Sequence, residues 1–122
     1  MGKKYKILVV IILIPIILVA SFMFFNKENA KKTIFDYIAK QGIEETQLKY
    51  AAFQRDLKRG GYNYFVYIEG EKPDIYYQYT YRDKKVSFQA YFNSSKAIKG
   101  EFWGGSRLSE TEVKKLKYPP LD

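Results

Sequence analysis

Glu69, Glu71 and Asp74 stand close together around a Gly-Pro turn, and paired carboxylates of this kind can supply acid, base or nucleophile in glycoside hydrolysis. Oxygen donors so grouped can also hold a hard cation, but their spacing lacks the regular alternation of a calcium loop. Acidic residues at such a turn equally serve as solvated turn formers. Glu44 and Glu45 form a second, weaker pair. The chain of 122 residues contains no cysteine and no histidine. That removes thiolate nucleophiles, disulfides, zinc-thiolate sites, imidazole bases and every Ser-His or Cys-His arrangement. A protein that is not an enzyme, with no cofactor and no metal, is the expectation.

Tyrosine is the one abundant residue type with binding potential, at 12 copies. Seven of these are Tyr62, Tyr64, Tyr67, Tyr76, Tyr77, Tyr79 and Tyr81. Aromatic rings bury large areas at low entropic cost, so an exposed row of them can stack on sugars or grip a peptide. Tyr67, Tyr76 and Trp103 are the candidate binding surface. Tyrosine also suits any half-exposed strand, its ring packing on the neighbouring strand and its hydroxyl meeting water. Trp103, in the sequence Phe102-Trp103-Gly104-Gly105, fits a recognition loop, a plug for the open end of a helix-sheet core, or a residue resting at lipid headgroups.

Net charge is +8. With Lys3, Lys4 and Lys6 set aside the excess falls to +5, scattered without a dense Lys/Arg run, as on a solvated surface. No RNP1-type motif accompanies the aromatics, and no nucleic-acid partner is expected. Neither Gly60-Gly61 nor Gly104-Gly105 sits in a phosphate-cradling motif.

The elements that must position these residues begin with an uncharged, aliphatic run from Ile7 to Phe25. As a helix it would be roughly 28 Å long, matching a hydrocarbon core of ~30 Å. Pro15 is tolerated in such a helix. A bilayer is therefore the first expected partner. The basic start and Val19-Ala20-Ser21 also resemble a cleaved signal peptide, but the apolar run continues through Phe25 without a polar cleavage region, which favours an uncleaved anchor. Lysines before the run orient the N-terminus to the cytoplasm, although Lys27, Lys31 and Lys32 follow it. The expected organisation is a cytoplasmic basic tail (1–6), a transmembrane helix (7–25) and an extracytoplasmic domain (26–122).

Ala30, Ile34, Tyr37 and Ile38 share one helical face, and Gly42 stops that helix, which either continues from the membrane segment or breaks at Asn26 to Asn29. Four runs of strand character follow: Leu48 to Leu57, Tyr62 to Glu69, Ile75 to Arg82 and Val86 to Asn93. Short Gly-, Pro- and Asp-containing connections predict hairpins. Alternation places Ile75, Tyr77, Tyr79 and Tyr81 on one face, with Val86, Phe88, Ala90 and Phe92 likewise aligned. Tyr62, Tyr64, Val66 and Ile68 lie on one side of the second run, Phe65 and Tyr67 on the other. Ser109 and Glu112 form a capping-box pattern for a short helix reaching about Leu116. The fold class is α+β: the transmembrane helix, then a helix packed on a four-stranded antiparallel meander, then a short C-terminal helix.

The basic start, the single apolar segment, FDYIAKQGI at Phe35 to Ile43, GGYNYFVYIEGEKPDIYYQYTY at Gly60 to Tyr81, and DKK at Asp83 to Lys85 together resemble the DUF3139 family of small membrane-anchored proteins from Gram-positive bacteria. The resemblance extends to about Phe92. It implies a location in the cell envelope and brings no activity or catalytic residues with it. The expected function is binding of a protein or wall-polymer partner outside the membrane without catalysis. The competing expectations are a carboxylate-dependent cell-wall sugar hydrolase and a structural accessory subunit of a membrane complex.

Overall fold

One helix, α1 (Lys3–Lys40), carries both the apolar run and the amphipathic segment that follows it. Its 38 residues span about 57 Å at 1.5 Å per residue. Asn26 to Asn29, where a break was an open alternative, is helical throughout, so the two expected helices are one. The side chains from Ile7 to Phe25 are almost all exposed, whereas Ala30, Ile34 and Ile38, four residues apart, are buried on one stripe. Gly42 ends the helix as expected: its φ of +86° is left-handed, and its amide caps the Ala39 carbonyl at 3.0 Å. α1 is, among the described residues, the helix long and apolar enough to cross a membrane.

The computed structural model describes residues 2–94 and 99–121. After a 3₁₀ turn at Glu45–Gln47 come β1 (Leu48–Arg55), β2 (Tyr62–Ile68), β3 (Ile75–Arg82), β4 (Lys85–Phe92) and β5 (Ser106–Arg107), followed by α2 (Glu110–Lys114). All neighbours pair antiparallel in sequence order, so the meander has five strands, one more than expected. β5 contributes only two residues, too few for any alternation to betray it. β1 stops at Arg55 because the Asp56 amide bonds the Gly61 carbonyl and the Gly60 amide returns to the Asp56 carbonyl, closing a turn that consumes Leu57. A bulge between Lys49 and Ala52, with Tyr50 at φ +54°, shifts the register of β1. α2 has the expected capping box, the Glu112 amide donating to Ser109 Oγ at 3.2 Å, but ends at Lys114.

Alternation sorts the sheet as expected. Tyr64, Val66 and Ile68, Ile75, Tyr77 and Tyr79, and Ala90 are buried with Ile34 and Ile38 of α1 in the main core. Phe88 fills the space between Tyr77 and Tyr79, with ring centroids 4.9 and 5.4 Å away. The C-terminal segment closes this side, Leu116 being buried and Leu108, Val113 and Tyr118 packing around it.

Candidate functional surface

Phe65 and Tyr67 of β2, Tyr76 and Gln78 of β3, and Gln89 and Tyr91 of β4 fall on the sheet face opposite α1. The predicted residues Tyr67, Tyr76 and Trp103 meet there. Tyr67 and Tyr76 are directly paired across β2 and β3, with ring centroids 5.5 Å apart. Trp103 lies over them, stacked on Phe65 at 5.4 Å, tilted on Tyr67 at 5.6 Å and edge-on to Tyr76 at 5.0 Å. It is on the opposite side of the sheet from the helix-sheet core.

The fit of this cover explains why the tyrosine row is not open to solvent. Tyr67 is 6% exposed and Tyr76 only 1%, while Trp103 keeps part of its ring outside. The Tyr76 hydroxyl donates to the Gly104 carbonyl at 3.0 Å, and the Asn93 side-chain amide donates to the Phe102 carbonyl at 3.2 Å, so the loop is pinned from below. Gly105, at φ +110°, turns the chain into β5; a Cβ there would stand 2.2 Å from the Phe92 carbonyl oxygen. Lys99 closes the rim, its ammonium 4.9 Å from the Tyr67 ring centre and bonded to the Pro73 carbonyl at 2.8 Å. The result is a second, smaller aromatic core, made by residues the sequence offers as a binding surface. Burial, together with the neighbouring Tyr91 and Tyr67, pushes the Tyr76 phenol up to about 12.

Beside this cover the outer face turns polar. Thr80 Oγ1 donates to Asn63 Oδ1 at 2.8 Å, the Gln78 amide donates to Thr80 Oγ1 at 3.3 Å, and the Tyr91 hydroxyl donates to Gln89 Oε1 at 2.7 Å. An aromatic step at Trp103 next to amide and hydroxyl groups can take a neutral polar partner through stacking and hydrogen bonds.

The carboxylates are placed for a different task. Glu71 Oε2 accepts from the Tyr77 hydroxyl and from the Lys117 amide at 3.0 Å, and Oε1 accepts from the Lys72 amide at 3.0 Å. It thus ties a buried phenol, the β2–β3 turn and the C-terminal segment together. Burial raises the Tyr77 phenol well above its ordinary value, and the adjacent Glu71 carboxylate adds to this. Glu69 lies 3.9 Å from Lys49 in an exposed ion pair. Among the described residues no group of His, Cys, Asp or Glu has a metal-holding arrangement.

Other residues of consequence were not legible beforehand. Gln41 accepts from the Tyr79 hydroxyl at 2.6 Å and donates to the Tyr118 and Pro119 carbonyls at 3.2 and 3.1 Å; Gln47 donates to the Tyr118 hydroxyl at 2.8 Å. The Leu121 amide donates to the Tyr37 hydroxyl at 2.8 Å. These contacts span 38 to 84 residues of chain, and no local pattern could have announced them.

The structure therefore defines a class: a small α+β domain with a two-sided aromatic sheet, borne on a long apolar N-terminal helix. The chain belongs to the DUF3139 family, a family of proteins of unknown function, whose model matches residues 2–81. It is also similar to an uncharacterized 13.4 kDa protein of Bacillus thuringiensis, with 66% identity over 110 residues, covering 90% of this chain and 96% of that protein. No solved structure matches the chain.

Proposed function

We propose that this protein is a single-pass membrane protein with its N-terminus in the cytoplasm, residues 26–122 outside, and a domain that binds a protein or wall-polymer partner without catalysis. The observation that carries the reading is the division of labour along α1. Its first part exposes an unbroken apolar surface that only lipid would satisfy, and its second part is built into the domain core without an intervening hinge. One continuous helix therefore joins the apolar run to the domain core. The partner meets the outer sheet face, where the partly exposed Trp103 ring covers Phe65 and Tyr76, and their strand neighbours Gln78, Gln89 and Tyr91 lie on the same face. Lys3, Lys4 and Lys6 before the apolar run support the orientation.

The test is to express the full chain with a tag at each end in a Gram-positive host and add protease to protoplasts. Digestion of the C-terminal tag alone, with the N-terminal tag surviving on a membrane-retained fragment, is the expected result. Protection of the domain, or its release into the medium, overturns the reading. A photo-crosslinker in place of Gln89 then reports the partner, and the absence of any crosslinked species refutes binding through this face.

A further inference from the structure

We propose that the turns β1–β2 and β3–β4 form a basic rim that docks on anionic phospholipid headgroups of the bilayer entered by α1. This rests on the membrane reading above and adds a lipid specificity to it. The register brings the two turns to the same end of the sheet: Arg55 pairs with Tyr62, Tyr62 with Tyr81, and Arg82 with Lys85. That end is also where the apolar run stops. Phe22 and Phe25 border the same cavity as Arg59, Gly61, Arg82 and Lys84, and Met23 and Lys27 border another with Arg55 and Tyr62. Both turns thus stand level with the point at which α1 leaves hydrocarbon.

Charges that look scattered in the sequence are gathered here by the fold. One turn brings Arg55, Lys58 and Arg59; the other brings Arg82, Lys84 and Lys85; Lys27 adds a seventh from the helix. The acids of this rim are Asp56 and Asp83, with Glu28 on the helix 3.8 Å from Lys31. Glu44, Glu45, Glu69, Glu71 and Asp74 all lie at the far end of the sheet, in or beside the α1–β1 and β2–β3 connections. Asp56 is spent internally: its Oδ1 accepts from the Lys58 and Arg59 amides at 3.0 and 2.9 Å, and its Oδ2 lies 3.5 Å from Arg82 Nη2. Arg82 also donates to the Gly60 carbonyl at 3.2 Å, latching one turn to the other. Lys58, Arg59, Lys84 and Lys85 are left facing outward, all four exposed.

Two further features fit a lipid surface. Leu57, at the tip of the first turn, is 85% exposed, an apolar side chain between the internally bonded Asp56 and the cations Lys58 and Arg59. Asp83 and Lys84 both have left-handed backbones, with φ of +52° and +62°, in a two-residue turn where Asn-Gly would be easier. Asp83 is a residue type that takes this conformation readily, whereas Lys84 keeps a cation at the tip where glycine would be easier. Attraction of these cations to an anionic surface decays within about 8–10 Å, so only a rim beside the bilayer can use it. Because α1 is continuous, seating the rim also sets the tilt of the helix and the attitude of the outer face.

The chain has no cysteine, so Leu57→Cys gives a unique labelling site. The full chain carrying an environment-sensitive fluorophore there is placed in phosphatidylcholine nanodiscs with or without phosphatidylglycerol, with headgroup spin labels as quenchers; Ile14→Cys with acyl-chain quenchers reports insertion. Expected is quenching at residue 57 that rises about twofold or more with the anionic lipid and is reversed by high salt. Lys58→Gln, Arg59→Gln, Lys84→Gln and Lys85→Gln combined remove the rise while the position-14 probe and Trp103 emission stay unchanged. Quenching at 57 that ignores lipid charge, salt or the four substitutions overturns the docking rim while leaving the anchor intact. An unquenched probe at position 14 overturns the membrane reading itself, and the rim with it.

Discussion

Replacing Trp103 with alanine measures how much of the domain depends on its outer-face cover. The ring stacks on Phe65 and packs against Tyr67 and Tyr76, three contacts with centroids at 5.0 to 5.6 Å. Truncating a fully buried tryptophan costs about 3–5 kcal/mol, and each aromatic pair is worth about 0.5–1.5 kcal/mol beyond its area. Trp103 retains some exposure, so about 3 kcal/mol is expected for Trp103→Ala. At roughly 4–8 °C per kcal/mol for a domain of this size, its melting temperature falls by about 12–24 °C. Trp103→Phe keeps a ring on Phe65 and should cost about 1 kcal/mol. The assay is urea and thermal unfolding of the full chain in detergent, followed by near-ultraviolet circular dichroism of the tyrosines, because the apolar half of α1 stays helical. Nitration of Tyr67 and Tyr76 under native conditions should accelerate in Trp103→Ala as their cover is lost. A change below about 1 kcal/mol with no gain in nitration refutes the second core and returns Trp103 to a purely external role.

Two other predictions concern the buried phenols. Removing the Tyr77 hydroxyl with Tyr77→Phe should cost about 1.5–3 kcal/mol, since it donates to a carboxylate, and Glu71→Gln should show strong non-additivity with it in a denaturant double-mutant cycle; additive effects would deny the link. Alkaline stability follows from the raised phenols: burial, aided by Glu45, holds Tyr64 at about 12, and Tyr76 is held at about 12 also, against an ordinary 10. A raised folded-state pKa means the unfolded chain loses its protons first. The stability these phenols contribute is complete below pH 10 and drains away as pH rises from 10 through 12. Tyrosinate absorbance should therefore show a late fraction rising together with unfolding; full ionisation near pH 10 with the fold intact would contradict it.

The faces of β2, β3 and β4 were legible because side chains alternate along a strand, and Tyr77, Tyr79 and Tyr81 at every second position of β3 share a face with Ile75, although aromatics stand on both faces of β2 and β3. Gly42 and the Ser109–Glu112 box carry their own backbone chemistry and mark their elements within the chain. What escaped was set by long-range packing. Asn26 to Asn29 read equally as caps or as helix interior, and the structure makes them interior, with Ala30, Ile34 and Ile38 buried in the turns that follow. Tyr67, Tyr76 and Trp103 were identified as one group, but their types alone are the same for an open platform and for a covered core. Only the path through Gly104 and Gly105 decides which face Trp103 meets. The basic rim was equally hidden, since its members come from two turns more than twenty residues apart.

The family model ends at Tyr81, one residue before the end of β3, yet both faces of the sheet are closed by residues beyond it. Without β4 the edge of β3 would present unpaired amides and carbonyls, and Tyr77 and Tyr79 would lose the Phe88 ring that packs edge-on against both. Residues beyond 81 close both faces: Trp103 covers the outer one, and Leu108, Val113 and Leu116 finish the inner one. The alignment with the Bacillus thuringiensis protein spans 90% of this chain and so necessarily includes most of that closing segment. The matched portion supplies the long apolar helix and the first three strands, whereas the segment after it covers the outer face. In this chain that face carries the partly exposed Trp103 ring over Phe65 and Tyr76, with Gln78, Gln89 and Tyr91 on the same side of the sheet.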